Sequence, residues 1–241
     1  SAPCTLLNET CVCDNRYFYY NMYYLSAVDC SRVSQESSQK FPSSVEVGKL
    51  GFIVQYLLIK NKNYEKLPTN AFLNTYLTFA ADFSSNRLKE IEPRAFNGQN
   101  YLYFLYLNKN EISEIKNDTF VSLSRLILLD LSENWIMQDE SAALLPIAQL
   151  QLLTFQSNRI QKLKSKQFST LSKMIYLYLK WNWISNELTN ETFLGLTSLN
   201  TLVLENNPIQ PVLKKHSFLP LNKLEILWVA NCWYQSVEQG A

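Results

Sequence analysis

Residues Leu102 to Asn110 read LYFLYLNKN. The same pattern returns as LILLDLSEN ending at Asn134, LQLLTFQSN at Asn158, MIYLYLKWN at Asn182, LNTLVLENN at Asn207 and LEILWVANC at Cys232. A template L-x-x-L-x-L-x-x-N/C recurring at a fixed period marks a chain built from stacked copies of one small unit.

Counting the last residue of each copy as its anchor, the anchors fall at 62, 86, 110, 134, 158, 182, 207 and 232, five steps of 24 residues followed by two of 25. An apolar residue follows two positions later: Tyr64, Leu88, Ile112, Ile136, Ile160, Ile184, Ile209 and Tyr234. In most copies a Phe follows ten or eleven after the anchor, as Phe72, Phe96, Phe120, Phe168, Phe193 and Phe218. Each unit reads as a short strand, a turn and a loosely wound return. Residues such as Leu126, Leu129 and Leu131 point inward with the Ile and Phe of the return segment. One unit cannot bury such a set alone, whereas a stack buries a continuous core. The anchor Asn stands where the strand turns away, placed to satisfy backbone groups of adjacent coils that would otherwise be buried unpaired.

Two early copies depart from the template. Thr78, Ala81 and Phe83 stand where leucines are expected, and Lys62 holds the first anchor position, so that the register there could shift to Asn61 or Asn63. After Asn134, Asp139 and Leu144 replace the usual Ile and Phe, with Pro146 nearby, which predicts a bulge or short helical turn in that return segment.

A net charge of +1 and 18% charged residues give no reason to expect nucleic acid or an anionic membrane as partner. No apolar run reaches the roughly 20 residues of a membrane span. Cys4, Cys11, Cys13 and Cys30 crowd the first thirty residues, while Cys232 stands alone. Four clustered cysteines ahead of a solenoid suggest a disulfide-stapled cap in an oxidising compartment; a zinc site is the competing reading, but the spacing lacks two C-x2-C pairs. Sequons at Asn8, Asn117 and Asn190 support secretion, the last two at matching places, NDTF and NETF, three units apart. The sequence opens Ser1-Ala2-Pro3 without Met, as expected once a signal peptide has been removed.

With its C-x-C and its AVDCS at Ala27 to Ser31, the segment up to about Pro42 resembles the cysteine-rich amino-terminal cap of extracellular leucine-rich repeat proteins. The repeats resemble the 24-residue type of Toll-like receptor ectodomains and small leucine-rich proteoglycans. The resemblance implies an α/β solenoid: a horseshoe with a parallel concave β-sheet and an irregular convex side, with residues 1–45 as cap and 46–241 as about eight repeats. It also implies disulfides Cys4–Cys13 and Cys11–Cys30, leaving Cys232 as a buried thiol in an anchor position; an interchain bridge is the alternative for Cys232. The aromatic block RYFYYNMYYL, Arg16 to Leu25, is longer than the family's usual loop and would cover the first repeat's core or serve as a contact surface. No family-type closing cap follows Cys232, so a homodimer through the carboxyl-terminal end is expected if the chain is complete.

No catalytic constellation is evident. The single histidine, His216, lies beside Lys214 and Lys215, and no phosphate loop, H-E-x-x-H or nucleophile elbow appears, so neither an enzyme nor a cofactor is expected. Function is sought instead in the strand residues that alternate with the buried leucines. Those six, four and two before each anchor include Tyr56, Phe104, Tyr106, Tyr176, Tyr178 and Trp228, and few charges. Trp135, Trp181, Trp183 and Trp233 flank the anchors at the edge of the same face. Trp and Tyr concentrate at interface hot spots. These positions, with Trp181 among the flanking tryptophans, predict a secreted module or ectodomain that recognises an extracellular protein ligand through its concave face, innate immune or cell-surface recognition being favoured. An extracellular matrix scaffold and a carrier or sensor of a small apolar ligand are the alternatives.

Overall fold

The structure, a computed structural model, describes residues 2–6, 9–14, 27–31, 54–73, 75, 77, 79–139, 141–209 and 216–232. The repeat dictates one sheet. Strands of three residues at Tyr56–Leu58, Ala80–Asp82, Phe104–Tyr106, Leu128–Asp130, Leu152–Thr154, Tyr176–Tyr178, Thr201–Val203 and Ile226–Trp228 lie side by side, all parallel, in sequence order. Their middle residues, from Leu57 to Leu227, form one column, and the flanking residues form two more on the opposite, outward side. A slip of one residue would turn every leucine to solvent, which is why the register follows the hydrophobic pattern without exception.

The amino-terminal strands join the same sheet. Ala27–Asp29, from the AVDCS segment, pairs parallel with Tyr56–Leu58, and the antiparallel strands Ala2–Leu6 and Glu9–Asp14 extend the sheet beyond it. The first repeat's edge is thereby paired rather than left open to other chains. Cys30 is disulfide-bonded. The side chains of Cys4, Cys11 and Cys13, the block Arg16 to Leu25, Asn8, Trp233 and Tyr234 lie outside the described residues.

Inside, the leucine columns and the return segments' residues form one apolar core from Val28 to Cys232. Phe72 stacks on Phe96 with centroids 5.8 Å apart, and Phe193 on Phe218 at 5.7 Å, so the Phe column is a ladder of rings one coil apart. Leu144 takes the Phe place, buried, in a 3-10 helix at Ser141–Ile147, the short helical turn that the irregular sequence there predicts. The second repeat is as well packed as the others despite its poor leucine match. Ala81 is fully buried, and the large Phe83 beside it fills the space that a small residue leaves, its ring 5.4 Å from Phe72 and 6.3 Å from Phe96.

The anchor column works as a hydrogen-bond ladder. The Asn134 amide donates to the carbonyls of Leu131 at 3.1 Å and, one coil back, Leu107 at 2.9 Å, while its Oδ1 accepts from the N–H of Ile112 at 3.1 Å. Asn110, Asn158, Asn182 and Asn207 repeat this arrangement. Cys232 keeps one member of it, its thiol donating to the Leu204 carbonyl at 3.4 Å, and it is a free, buried thiol. At the first anchor the register does not shift. Tyr56 stays opposite Ala80 and Lys62 remains buried in the column. The turn itself adapts: Asn61 and Asn63 are both left-handed, and Asn86 Oδ1 accepts from the N–H of Lys62.

Oppositely charged residues one repeat apart link neighbouring coils along the outside: Arg87–Glu111, Lys109–Glu133, Lys66–Glu90, Lys89–Glu65 and Arg94–Asp118. Pairs this exposed add little each to stability.

Candidate functional site

The outward columns define the concave surface. One runs Tyr56, Ala80, Phe104, Leu128, Leu152, Tyr176, Thr201, Ile226; the other runs Leu58, Asp82, Tyr106, Asp130, Thr154, Tyr178, Val203, Trp228. The structure therefore brings Tyr106 and Tyr178 into the same column three strands apart, with Phe104 and Tyr176 beside them. At the usual strand spacing that separation is about 14 Å.

The surface is ridged rather than flat. Tyr176 and Tyr178 are stacked nearly parallel, centroids 6.5 Å apart, and Tyr176 is 39% exposed. Beyond them Thr201 and Val203 are buried, forming a valley, and Ile226 and Trp228 rise again, Trp228 at 54% exposure. On the other side Leu128 and Leu152 form a half-buried floor between the tyrosine ridge and the ridge of Phe104 and Tyr106. Nearer the amino-terminal strands Ala80, Asp82 and Ser84 are buried. Small and large residues in neighbouring strands thus create relief that alternation alone does not reveal.

Charge on this face is largely spoken for. Asp82 pairs with Lys60 at 3.4 Å, and its Oδ1 accepts the N–H of Ser84. Asp130 Oδ1 accepts both the N–H and the hydroxyl of Ser132, and Asp29 accepts the N–H of Ser31. These carboxylates close a small turn at the end of their strands, the local capping that Asp favours. An Asp two residues before a Ser at the strand end is the sequence signal for this role, which spacing to the anchor alone does not expose.

Tyr56 sits between these groups. Partial burial, then the Asp82 carboxylate, then Tyr106 push its phenol up to about 12. The neutral form is the one the fold favours, so this contribution is complete below the unfolded value near 10 and is lost as pH rises from there through about 12. In an alkaline titration followed by tyrosinate absorbance, Tyr56→Phe is expected to remove amplitude from the last phase only. Loss of amplitude near pH 10 instead would show that Tyr56 is not shielded.

At the edge of the face, Trp135, Trp181 and Trp183 are exposed, and the Arg159 guanidinium lies 4.9 Å from the centre of the Trp135 ring. Trp181 does not belong to either strand column; it occupies the turn just before its anchor. Asn117 and Asn190 are exposed on the return segments, away from the sheet. Among the described residues no cluster of His, Cys, Asp or Glu is arranged to hold a metal ion, and no helix is long and apolar enough to cross a membrane.

A curved stack of strand-and-return coils, knit by an Asn ladder and filled by Leu, Ile and Phe columns, is the leucine-rich repeat architecture. The leucine rich repeat family model matches residues 82–136, 100–159 and 148–209, more than half of the chain, which therefore belongs to the leucine-rich repeat family. Among curated proteins nothing matches. Solved structures with the same fold include Drosophila Toll in its complex with Spatzle, at 21% identity over 73% of this chain with a TM-score of 0.69. A leucine-rich repeat protein of Leptospira interrogans is 20% identical over 76% of this chain, TM-score 0.64. TLR13 in its complex with ssRNA13 is 24% identical over 73% of this chain, TM-score 0.59. This chain spans only 23%, 45% and 29% of those three chains respectively.

Proposed function

We propose that this chain is an extracellular recognition module that engages a protein ligand through the aromatic ridges of its concave sheet, in innate immune or cell-surface recognition. The observation that carries the proposal is the span from Phe104 and Tyr106 to Tyr176 and Tyr178. Two register-matched ring pairs face each other across Leu128 and Leu152, with Asp130 as the sole ionic group in the two strand columns between them. A partner can desolvate such a span without stranding several unpaired charges, which would be costly. The cluster of four amino-terminal cysteines, the bonded Cys30, the sequons at Asn117 and Asn190 and the Toll-like fold support an extracellular setting. The proposed pairings are Cys11–Cys30 and Cys4–Cys13. Strand register sets Cys4 opposite Cys11 and, continued by one residue past Val12 and Asp29, Cys11 opposite Cys30; the pairings themselves rest on the resemblance.

Solved relatives by fold are bound to a protein, Spatzle, in one case and to RNA in another. Here the two concave columns hold no cation and Lys60 beside them is paired with Asp82, whereas nucleic-acid binding rests on many phosphate contacts. A protein ligand is therefore preferred.

The test is a comparison of partners captured from extracellular fluid by the wild type, by Tyr106→Ala and by Tyr178→Ala. A protein retained by the wild type and depleted by both variants is the expected result. Equal capture by all three would move the recognition surface elsewhere.

A further inference from the structure

In all eight coils the residue before the anchor is left-handed, Asn61, Ser85, Lys109, Glu133, Ser157, Trp181, Asn206 and Asn231, with φ between 54° and 58°, and only one of these eight is Trp. Asn adopts this conformation readily, whereas a bulky side chain does so at a cost. Trp181 has φ 57° and is 56% exposed, so the fold gains little packing from an indole held in a conformation that Asn would take more easily. The turn imposes this conformation on Lys109 and Glu133 as it does on Trp181, so what sets Trp181 apart is a large apolar ring left exposed there, which points to a use other than folding.

What surrounds the ring indicates the use. Because the coils are in register, Trp181, Asn206 and Asn231 occupy equivalent places on three successive coils, about 4.8 Å apart. Their main chains are held by the ladder, Trp181 N–H donating to Glu205 and Asn206 N–H to Ala230. The carboxamides of Asn206 and Asn231 make no hydrogen bond among the described residues. These two amides, the indole and Cys232 line a cleft of about 550 Å³. Burial pushes the Cys232 thiol up, which keeps it uncharged at neutral pH, and none of these four residues carries a charge.

We propose that this cleft binds a neutral saccharide, one ring stacked on the Trp181 indole and its hydroxyls bonded by the carboxamides of Asn206 and Asn231. Each carboxamide offers paired donors and an acceptor, matching hydroxyls that both donate and accept. Among the described residues lining it an anionic ligand would find no cation, and the Glu205 carboxylate near Cys232 would repel it. A purely apolar one would strip water from the two amides without replacing their hydrogen bonds. The row of turns lies past the ends of the strands, so the site is independent of the concave protein-binding span.

The test titrates the protein with maltotetraose, cellotetraose, chitotetraose and mannotetraose, following tryptophan fluorescence and heat. Saturable binding of at least one is expected at millimolar concentration or below. Trp181→Asn should weaken it at least about tenfold while melting at the same temperature as the wild type or higher, and Asn231→Ala should weaken it less. The proposal is overturned if none of the four sugars binds, if a neutral Gly-Ser peptide occupies the cleft while the sugars do not, or if Trp181→Asn leaves affinity unchanged. A clear fall in melting temperature in Trp181→Asn would also overturn it, since the indole would then serve the fold.

Discussion

Asn134→Ala is expected to destabilise the protein by about 3 to 4 kcal/mol, because truncation strands several buried groups at once. The Asn134 side chain satisfies the carbonyls of Leu107 and Leu131 and the N–H of Ile112. All three belong to fully buried residues, with no route to water when the amide is removed. In a solenoid each repeat contacts only its neighbours, so a break in the middle weakens two interfaces together. Asn134→Cys should cost less, since the thiol of Cys232 shows that sulfur can keep the bond to the preceding coil's carbonyl. Asn108→Ala, on the outward side of the preceding coil, should change stability by about 0.5 kcal/mol or less. Denaturant unfolding of the three variants checks the order, and a cost below about 1 kcal/mol for Asn134→Ala would show that the ladder is dispensable.

Gly195→Ala should be comparably damaging, by about 3 kcal/mol or more, for two reasons that add. Its φ of 96° lies where only glycine is at ease. A methyl group there would also run into the backbone of Ser169 on the adjacent coil, within 2.6 Å of its carbonyl carbon. Gly98 separates the two effects. It has a φ of 83° but nothing within 4 Å of the added carbon, so Gly98→Ala should cost only about 1 kcal/mol. Equal melting temperatures for the two variants would mean that the coils yield at Ser169.

The contrast between these positions and the site residues shows what a sequence of this kind carries. The anchors, the inward leucines and the Phe ladder were legible because each depends on period, and period survives substitutions such as Leu144 for Phe. The outward columns followed from the same count, which is why Phe104, Tyr106, Tyr176 and Tyr178 fall where spacing puts them. Lys62 was ambiguous because its side chain cannot replace an amide; the register is fixed instead by the pairing of Tyr56 with Ala80, a contact between repeats. The relief of the concave face was not legible either. Whether Thr201 and Val203 are surface or valley depends on the height of Tyr178 and Trp228 in the strands on either side. Trp181 ran against propensity: nothing about tryptophan suggests a left-handed turn, and only its place in a row of eight equivalent residues explains the conformation. Glycine in this chain was informative only where neighbouring coils approach, as at Gly195.

The central claim, that the concave aromatic span recognises a protein, is tested most directly by affinity measurements on the captured partner with Tyr106→Ala, Tyr178→Ala and, as a return-segment control, Lys162→Ala. Tyr106 and Tyr178 point away from the core, so all three variants should fold as the wild type does. Truncating a central aromatic anchor should cost at least about 2 kcal/mol, roughly thirtyfold in affinity, in each tyrosine variant, with Lys162→Ala unchanged. Wild-type affinity in both tyrosine variants, with folding intact, would contradict the account.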